Sequence, residues 1–223
     1  VRARPRGGWR SDMYTYASLS AWRPDLNGTS MGQRQALSRA AQHYVSAFGP
    51  VTVGDISHWL GAFPRRQIVS ALMNLHGWLT HVQISGSSGD FVMASEQLDE
   101  VSVLSLSSGR VCLLPAGDSC AMAYSDPRRV VPEPYRDRVF DRVGEPLGTV
   151  WLDGFVVGTW GLRARDEYVW VRFFEAVAPE TLAATGELIY DLADALGFQS
   201  LDMDMRTLRE AEVDGRAVFM AMP

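Results

Sequence analysis

This sequence predicts an α+β fold: a winged helix-turn-helix module followed by a β-rich, barrel-like domain with one long helix. Three observations carry that expectation. Ile68, Ala71, Leu72 and Leu75 recur at i, i+3, i+4 and i+7, the apolar face of a helix. The run Trp78–Ile84 alternates as a strand does, SGSSGD turns the chain, and Phe91–Ala94 returns. Further on, Asp153-Gly154 separates the apolar runs VWL and FVVGTWGL, a type I′ hairpin signal.

The elements follow in order. Arg2, Arg4 and Arg6 alternate, Gly7-Gly8 supplies a turn, and Tyr14 and Tyr16 alternate on the return. Residues 1–29 therefore read as the wing of a preceding winged helix, cut off from its own helices, with a linker behind it. Such an arm suits phosphates or a minor groove, and it equally suits a solvated arm kept soluble by its arginines. Residues 30–97 read as the winged-helix domain. Its first helix starts after Ser30 and turns Leu37, Ala40, Ala41, Tyr44, Val45 and Phe48 inward. Thr52 with Asp55 approaches a capping box, and Gly61 stops the short helix that carries Val53, Ile56 and Leu60. Pro64 opens the next helix at its first position, and Gly77 closes it.

The polar side of that helix carries Arg65, Arg66, Gln67, Ser70 and Asn74. Arg66, Ser70 and Asn74 stand at i, i+4 and i+8, so they share one face. A helix in a major groove reads base edges with such groups, and Arg also neutralises phosphate. The same face equally describes a solvated helix or a protein-interaction surface. The DNA-binding candidates are thus Arg2, Arg4, Arg6, Arg65, Arg66, Ser70 and Asn74.

Residues 98–223 read as the β-rich domain. EQLDEV forms a turn, Val111–Pro115 is a short buried strand, and a Pro- and Asp-rich crossing holds a short helix near Pro134–Phe140. Tyr168–Phe174 is a strand, and Glu180–Leu196 a helix with Leu182, Leu188, Ile189, Leu192 and Leu196 inward. A second Asp-Gly, at Asp214-Gly215, precedes the apolar run Ala217–Met222.

Composition bounds the function. Hydrophobic residues make up 47% and charged residues 21% of the chain, a balance typical of globular proteins. No apolar run is long enough to span a bilayer, and the start has no signal-peptide pattern, so no membrane partner is expected. All 21 basic residues are Arg. Residues 1–80 hold nine Arg against Asp12, Asp25 and Asp55, a charge of +6, while the remainder holds twelve Arg against 23 acids, −11. A basic N-terminal part on an acidic chain is compatible with nucleic acid at one end. Cys112 and Cys120 form no CxxC and read as buried thiols of a reducing cytoplasm. His43, His58, His76 and His81 have no ligand spacing and no partnered carboxylate, so neither a metal nor a cofactor is expected.

The segments VCLLPAGDSCAMAYSDPRRVV and VWLDGFVVGTWGL have a recognisable order. They give a Leu-Leu-Pro strand, then Asp118, then Tyr124 and Asp126 with Arg nearby, then Gly158-Thr159-Trp160. With AFGPVTVGDISHWLG, the chain over about residues 1–200 resembles the winged-helix DNA-binding family that includes bacterial DNA glycosylases acting on alkylated bases and interstrand crosslinks. The resemblance implies tandem winged helices around a basic concave surface for duplex DNA, and hydrolysis of the N-glycosidic bond of a damaged nucleotide. It also implies a Gln-x-Gln or Gln-x-Asp motif near the N-terminus of the full chain, a region absent here. Gln97-Leu98-Asp99 fits the letters but follows the wing of the wrong module, and it is read as chance. The catalytic carry-over therefore fails, and no catalytic residue is named. The chain alone is expected to bind duplex DNA without glycosylase activity. A non-catalytic DNA-binding regulator and a protein-interaction module stay open beside that expectation. Asp118, Asp126 and Asp153 are expected to bond loop backbone, and Trp160 to lie in the core.

Overall fold

The computed structural model describes residues 2–5, 14–25, 31–61, 63–103 and 108–213. Strands β1 (Arg2–Pro5) and β2 (Tyr14–Tyr16) form an antiparallel pair, followed by the short helix α1 (Leu19–Trp22). The Gly7-Gly8 turn and Arg6 lie outside the described residues, as does the C-terminal run after Val213. The register of the pair shifts between Arg2 and Arg4.

Three helices and a hairpin follow: α2 (Gln33–Phe48), α3 (Val53–Leu60), α4 (Arg65–Met73), β3 (Leu79–Val82) and β4 (Phe91–Ala94). The inward stripe of α2 is as expected. Leu37, Ala41, Tyr44 and Val45 are buried, and they meet Ile56 of α3 and Ile68 and Leu72 of α4 in one core. β4 is buried along its length and closes that core beneath α2, with β3 paired in register outside it. Thr52 and Asp55 make a complete capping box, and Gly61 ends α3 with φ +66°, a conformation that favours glycine.

The bounds of α4 differ from the expectation. Pro64 is the cap rather than the first helical residue, and the helix ends at Met73 rather than near Gly77. The last turn tightens as the Leu75 N–H donates to the Leu72 carbonyl, 2.8 Å. The segment expected to be a turn at EQLDEV is helix α5 (Ser95–Val103). Its Glu, Gln and Leu residues favour helix, and Ser95 Oγ anchors its start on the Trp78 carbonyl, 3.1 Å.

The second half is a mixed sheet in the order β5 (Val111–Leu114), β6 (Gly148–Leu152), β7 (Phe155–Arg163), β8 (Tyr168–Phe173) and β9 (Asp202–Thr207). Between β5 and β6 come two 3-10 turns and the short helix α6 (Arg136–Val139). Helix α7 (Pro179–Ala195) links β8 to β9, and α8 (Leu208–Val213) ends the described chain. The first four strands are antiparallel neighbours, whereas β8 and β9 are parallel. This is an open sheet and not the barrel-like arrangement expected. Its faces are covered without closure. Ile189 of α7 packs with Val150, Val169, Val171 and Phe173 on one side, while Ala121, Val130, Val131 and Val139 from the irregular crossing meet Trp151 and Phe174 in another cluster.

Three further expectations change. β5 is an edge strand, half-buried, and it exposes Cys112. Cys120 lies in a turn and is exposed too, so neither thiol is a core residue. In α7 the buried row is Thr181, Thr185, Gly186, Ile189 and Ala193, and Leu182 faces out. Threonines bury there because the Thr185 hydroxyl donates to the Thr181 carbonyl, 2.7 Å. Finally, β9 is a strand the alternating DMDMRT did not announce. Its Asp204 meets Arg172 of β8, which is 7% exposed and also donates to the Asp204 carbonyl, 3.0 Å. The Arg206 guanidinium, then Arg172, hold the Asp204 carboxyl at about 2, against a burial that would raise it.

The Asp153-Gly154 turn has both residues at positive φ, as a type I′ turn requires, and Asp153 accepts from the Gly109 and Arg110 N–H groups. Asp118 and Asp126 likewise accept from the Cys120 and Arg128 N–H groups. Trp160 is half-buried and donates to the Leu114 carbonyl, 2.8 Å.

Ile189 is fully buried between α7 and the sheet. Ile189→Ala should cost about 2–5 kcal/mol, read as a lowered urea midpoint at an unchanged slope.

Candidate nucleic-acid interface

The face expected on α4 forms in part. Arg65, Arg66 and Ser70 are exposed on one helix whose opposite side, Ile68, Ala71 and Leu72, is sealed in the core. Among the described residues, neither arginine is paired with a carboxylate. Asn74 departs from this face. It caps α4, and its Nδ2 donates to Ser38 Oγ of α2, 3.3 Å, while Ser38 Oγ donates to the Ala71 carbonyl, 3.2 Å. Asn74 therefore fastens α4 to α2. The same face carries apolar groups that the arginine pattern hides: Val69 is 39% and Met73 70% exposed.

Arg34 is a further basic residue that sequence reasoning missed. It stands one turn before Ser38 on α2 and is exposed. Ser38 touches the C-terminal end of α4, whereas Arg65 and Arg66 sit at its start. The i, i+4 step from Arg34 to Ser38 is the available signal, masked in the sequence by the strong apolar stripe of α2. Residues 31–94 carry Arg34, Arg39, Arg65 and Arg66 against Asp55 and Asp90. Asp55 is buried and paired, so the outer surface of this part is basic.

Arg2 and Arg4 lie on β1, whose backbone is described and whose side chains are not, and Arg6 lies outside the described residues. Gln97 and Asp99 do not converge. Gln97 Nε2 donates inward to the Ser46 carbonyl, 2.9 Å, while Asp99 is exposed about 200° round α5. The four histidines are exposed, and no metal-binding group occurs among the described residues.

What fixes the pose of this basic surface is a clamp between the helices and the crossing. Asp55, 2% exposed, accepts from the Thr52 N–H (2.8 Å) and hydroxyl (2.9 Å) and from the Ser125 N–H (2.9 Å) and hydroxyl (2.8 Å). Arg129 pairs with Asp55 at 3.2 Å, donates to the Pro50 carbonyl at 2.8 Å, and lies over the Tyr124 ring, 3.9 Å from its centre. The Tyr124 hydroxyl donates to the Phe48 carbonyl, 3.1 Å, and the Tyr44 hydroxyl to the Ala123 carbonyl. Burial pushes the Asp55 carboxyl up, but the bonds from Thr52 and Ser125 outweigh it and leave it below the ordinary carboxylate range. Burial, and then the Asp55 charge, push the Tyr44 hydroxyl up, so it stays a donor.

A lowered folded pKa means Asp55 stabilises the fold fully above its unfolded value, near 4, and loses that contribution as pH falls through the folded one. Asp55→Asn should cost about 3 kcal/mol at neutral pH. The gap from the parent in thermal unfolding should narrow as the pH is lowered below about 5.

Comparison with known proteins sets this geometry in context. A family model described as DNA glycosylase AlkZ-like matches residues 1–195. Among solved structures, the Streptomyces sahachiroi DNA glycosylase AlkZ matches with a TM-score of 0.70 at 21% identity, over 80% of this chain and 48% of that one. The likeness is one of fold, and the chain spans about half the length of that protein. No curated protein matches.

Proposed function

Because the chain belongs to the DNA glycosylase AlkZ-like family, we propose that it binds duplex DNA as part of a base-excising repair protein, with α2–α4 and the β3–β4 hairpin acting as a winged helix. The observation that carries this reading is the exposed pair Arg65 and Arg66 on α4, which meets no carboxylate among the described residues and whose helix has its other side locked in the core. Arg34, exposed on the neighbouring α2, adds a further positive charge to this part of the chain. In this reading α4 approaches a groove, Ser70 offers a hydroxyl to base edges or phosphate, and the arginines neutralise phosphates. Arg2, Arg4 and Arg6 on the N-terminal arm would add phosphate contacts of their own.

The reaction proposed for the whole protein is hydrolysis of the N-glycosidic bond of a damaged nucleotide. Such an enzyme must hold a duplex firmly enough to take one nucleotide out of the stack, which costs a few kcal/mol. The residues described here support that reading as a scaffold. The clamp around Asp55 keeps α3 and the crossing in fixed relation, and no described residue is assigned the chemistry.

Val69 and Met73 favour a second reading, in which α4 docks on a protein, because an exposed apolar pair at i, i+4 is suited to a partner's surface. Salt dependence separates the two. Replacing Arg65 and Arg66 by Ala should weaken duplex binding and lower the log–log salt slope by about one for each phosphate no longer neutralised. Stability should stay within about 0.5 kcal/mol, since both side chains are exposed. The measurement is fluorescence anisotropy of a labelled duplex at several salt concentrations, with circular dichroism as the control on folding. Unchanged affinity and slope in a folded double variant would favour the protein partner.

A further inference from the structure

We propose that Cys112 and Cys120 are a thiol pair that closes reversibly into a disulfide, stapling the sheet edge to the segment that leads into the Asp55 clamp. This goes beyond the DNA-binding reading and does not depend on it. Cys112 stands opposite Trp151 in the β5–β6 pair, so the two side chains share a face of the sheet. Leu114, two residues on, lies on that same face. Beyond it the chain reverses through Pro115–Asp118: the Asp118 N–H donates to the Pro115 carbonyl, 3.2 Å, and Gly117 has φ +72°. The reversal brings Ala121 into the cluster that holds Trp151, with Leu114 at its margin. Cys120 precedes Ala121, and the Cys120 N–H is fixed on the Asp118 carboxylate, 2.8 Å. Cys120 therefore adjoins the cluster on the face of the sheet that bears Cys112, and both cysteines are exposed.

The Cys120 thiol is pushed up by partial shielding, then by the Asp118 carboxylate, and further by Cys112. That orders the chemistry. With a low-molecular-weight disulfide such as oxidised glutathione, the Cys112 thiolate attacks one sulfur and releases one glutathione thiolate. Cys120 then gives its proton to solvent and attacks the Cys112 sulfur, releasing the second glutathione. Two protein thiols are oxidised, and one glutathione disulfide is reduced to two glutathiones. The bridge joins β5 to the run that supplies Tyr124, Ser125 and Arg129.

The chain is incubated with oxidised glutathione and its intact mass recorded. The expected product has lost two hydrogens, retains no glutathione, has no thiol reactive to Ellman's reagent, and reverts in dithiothreitol. Cys112→Ser and Cys120→Ser should each retain one glutathione adduct. The thermal midpoint should rise in the oxidised parent and in neither variant. Two adducts on the parent, or a bridge between two chains, would overturn the pairing. A bridge that forms within one chain without moving the midpoint would overturn its role as a staple.

Discussion

The structure depends on a single buried carboxylate. Asp55 is out of water, and a charge so placed is tolerated only when its lone pairs are taken. Thr52, Ser125 and Arg129 take them. Two of these groups come from the irregular crossing, far along the chain. The residue that starts α3 therefore also fixes where the sheet half sits, and the cost of burying the charge becomes the reason the two halves hold one arrangement. Arg129 adds a cation over Tyr124, and Tyr124 reaches back to the end of α2. Deleting any one member leaves the others with unmet hydrogen bonds, so the group acts as a unit.

That division of roles leaves the outer surface of α4 exposed. The polar groups that could have tied it down are engaged elsewhere: Asn74 and Ser38 brace α4 against α2, and Asp55 is held inside. Among the described residues no carboxylate meets Arg65 or Arg66, as the DNA-binding proposal requires. In the second half the arrangement is opposite. Arg172 and Arg206 are neutralised by Asp204, and Arg128 by Asp126, so arginines that look equivalent in the sequence differ in what they can offer.

Local signals are legible in the sequence. The period of α2, the Thr52–Asp55 cap, the Asp-Gly turn and the β3–β4 hairpin are each set by residues within a few positions of one another, and each forms. Relations over long separations are not legible. Nothing near Asp55 announces Ser125 or Arg129, because that pairing is made only when the chain has folded back on itself. β9 escapes notice although Met203 and Met205 alternate in DMDMRT, because its aspartates read as a solvated loop until Asp204 is seen to pair with Arg172. The barrel expectation fails for a related reason: counting strands does not reveal that α7 covers a face and returns the chain parallel. At the candidate site, the arginines and serine of α4 can be read from helical spacing. Asn74 cannot, because its role is set by the neighbouring helix. Val69 and Met73 escape notice because an apolar residue in a helix is ordinarily assigned to its core side.

The parallel pairing of β8 and β9 has a consequence for the order in which the chain assembles. β6, β7 and β8 are joined by short turns and can zip up locally, in about 1–10 microseconds. β9 cannot pair until residues 174–201 have formed α7 and carried the chain back across the sheet, and such non-local pairing is intrinsically slow. Until then Arg172 faces solvent rather than Asp204. During synthesis β9 leaves the ribosome after β5 to β8, so the nascent protein passes through a stage in which its sheet has four strands and an open edge at β8. An edge of that kind is a template for a neighbouring chain. The charged arginine on it is a natural deterrent to wrong pairing, until its own strand arrives to neutralise it.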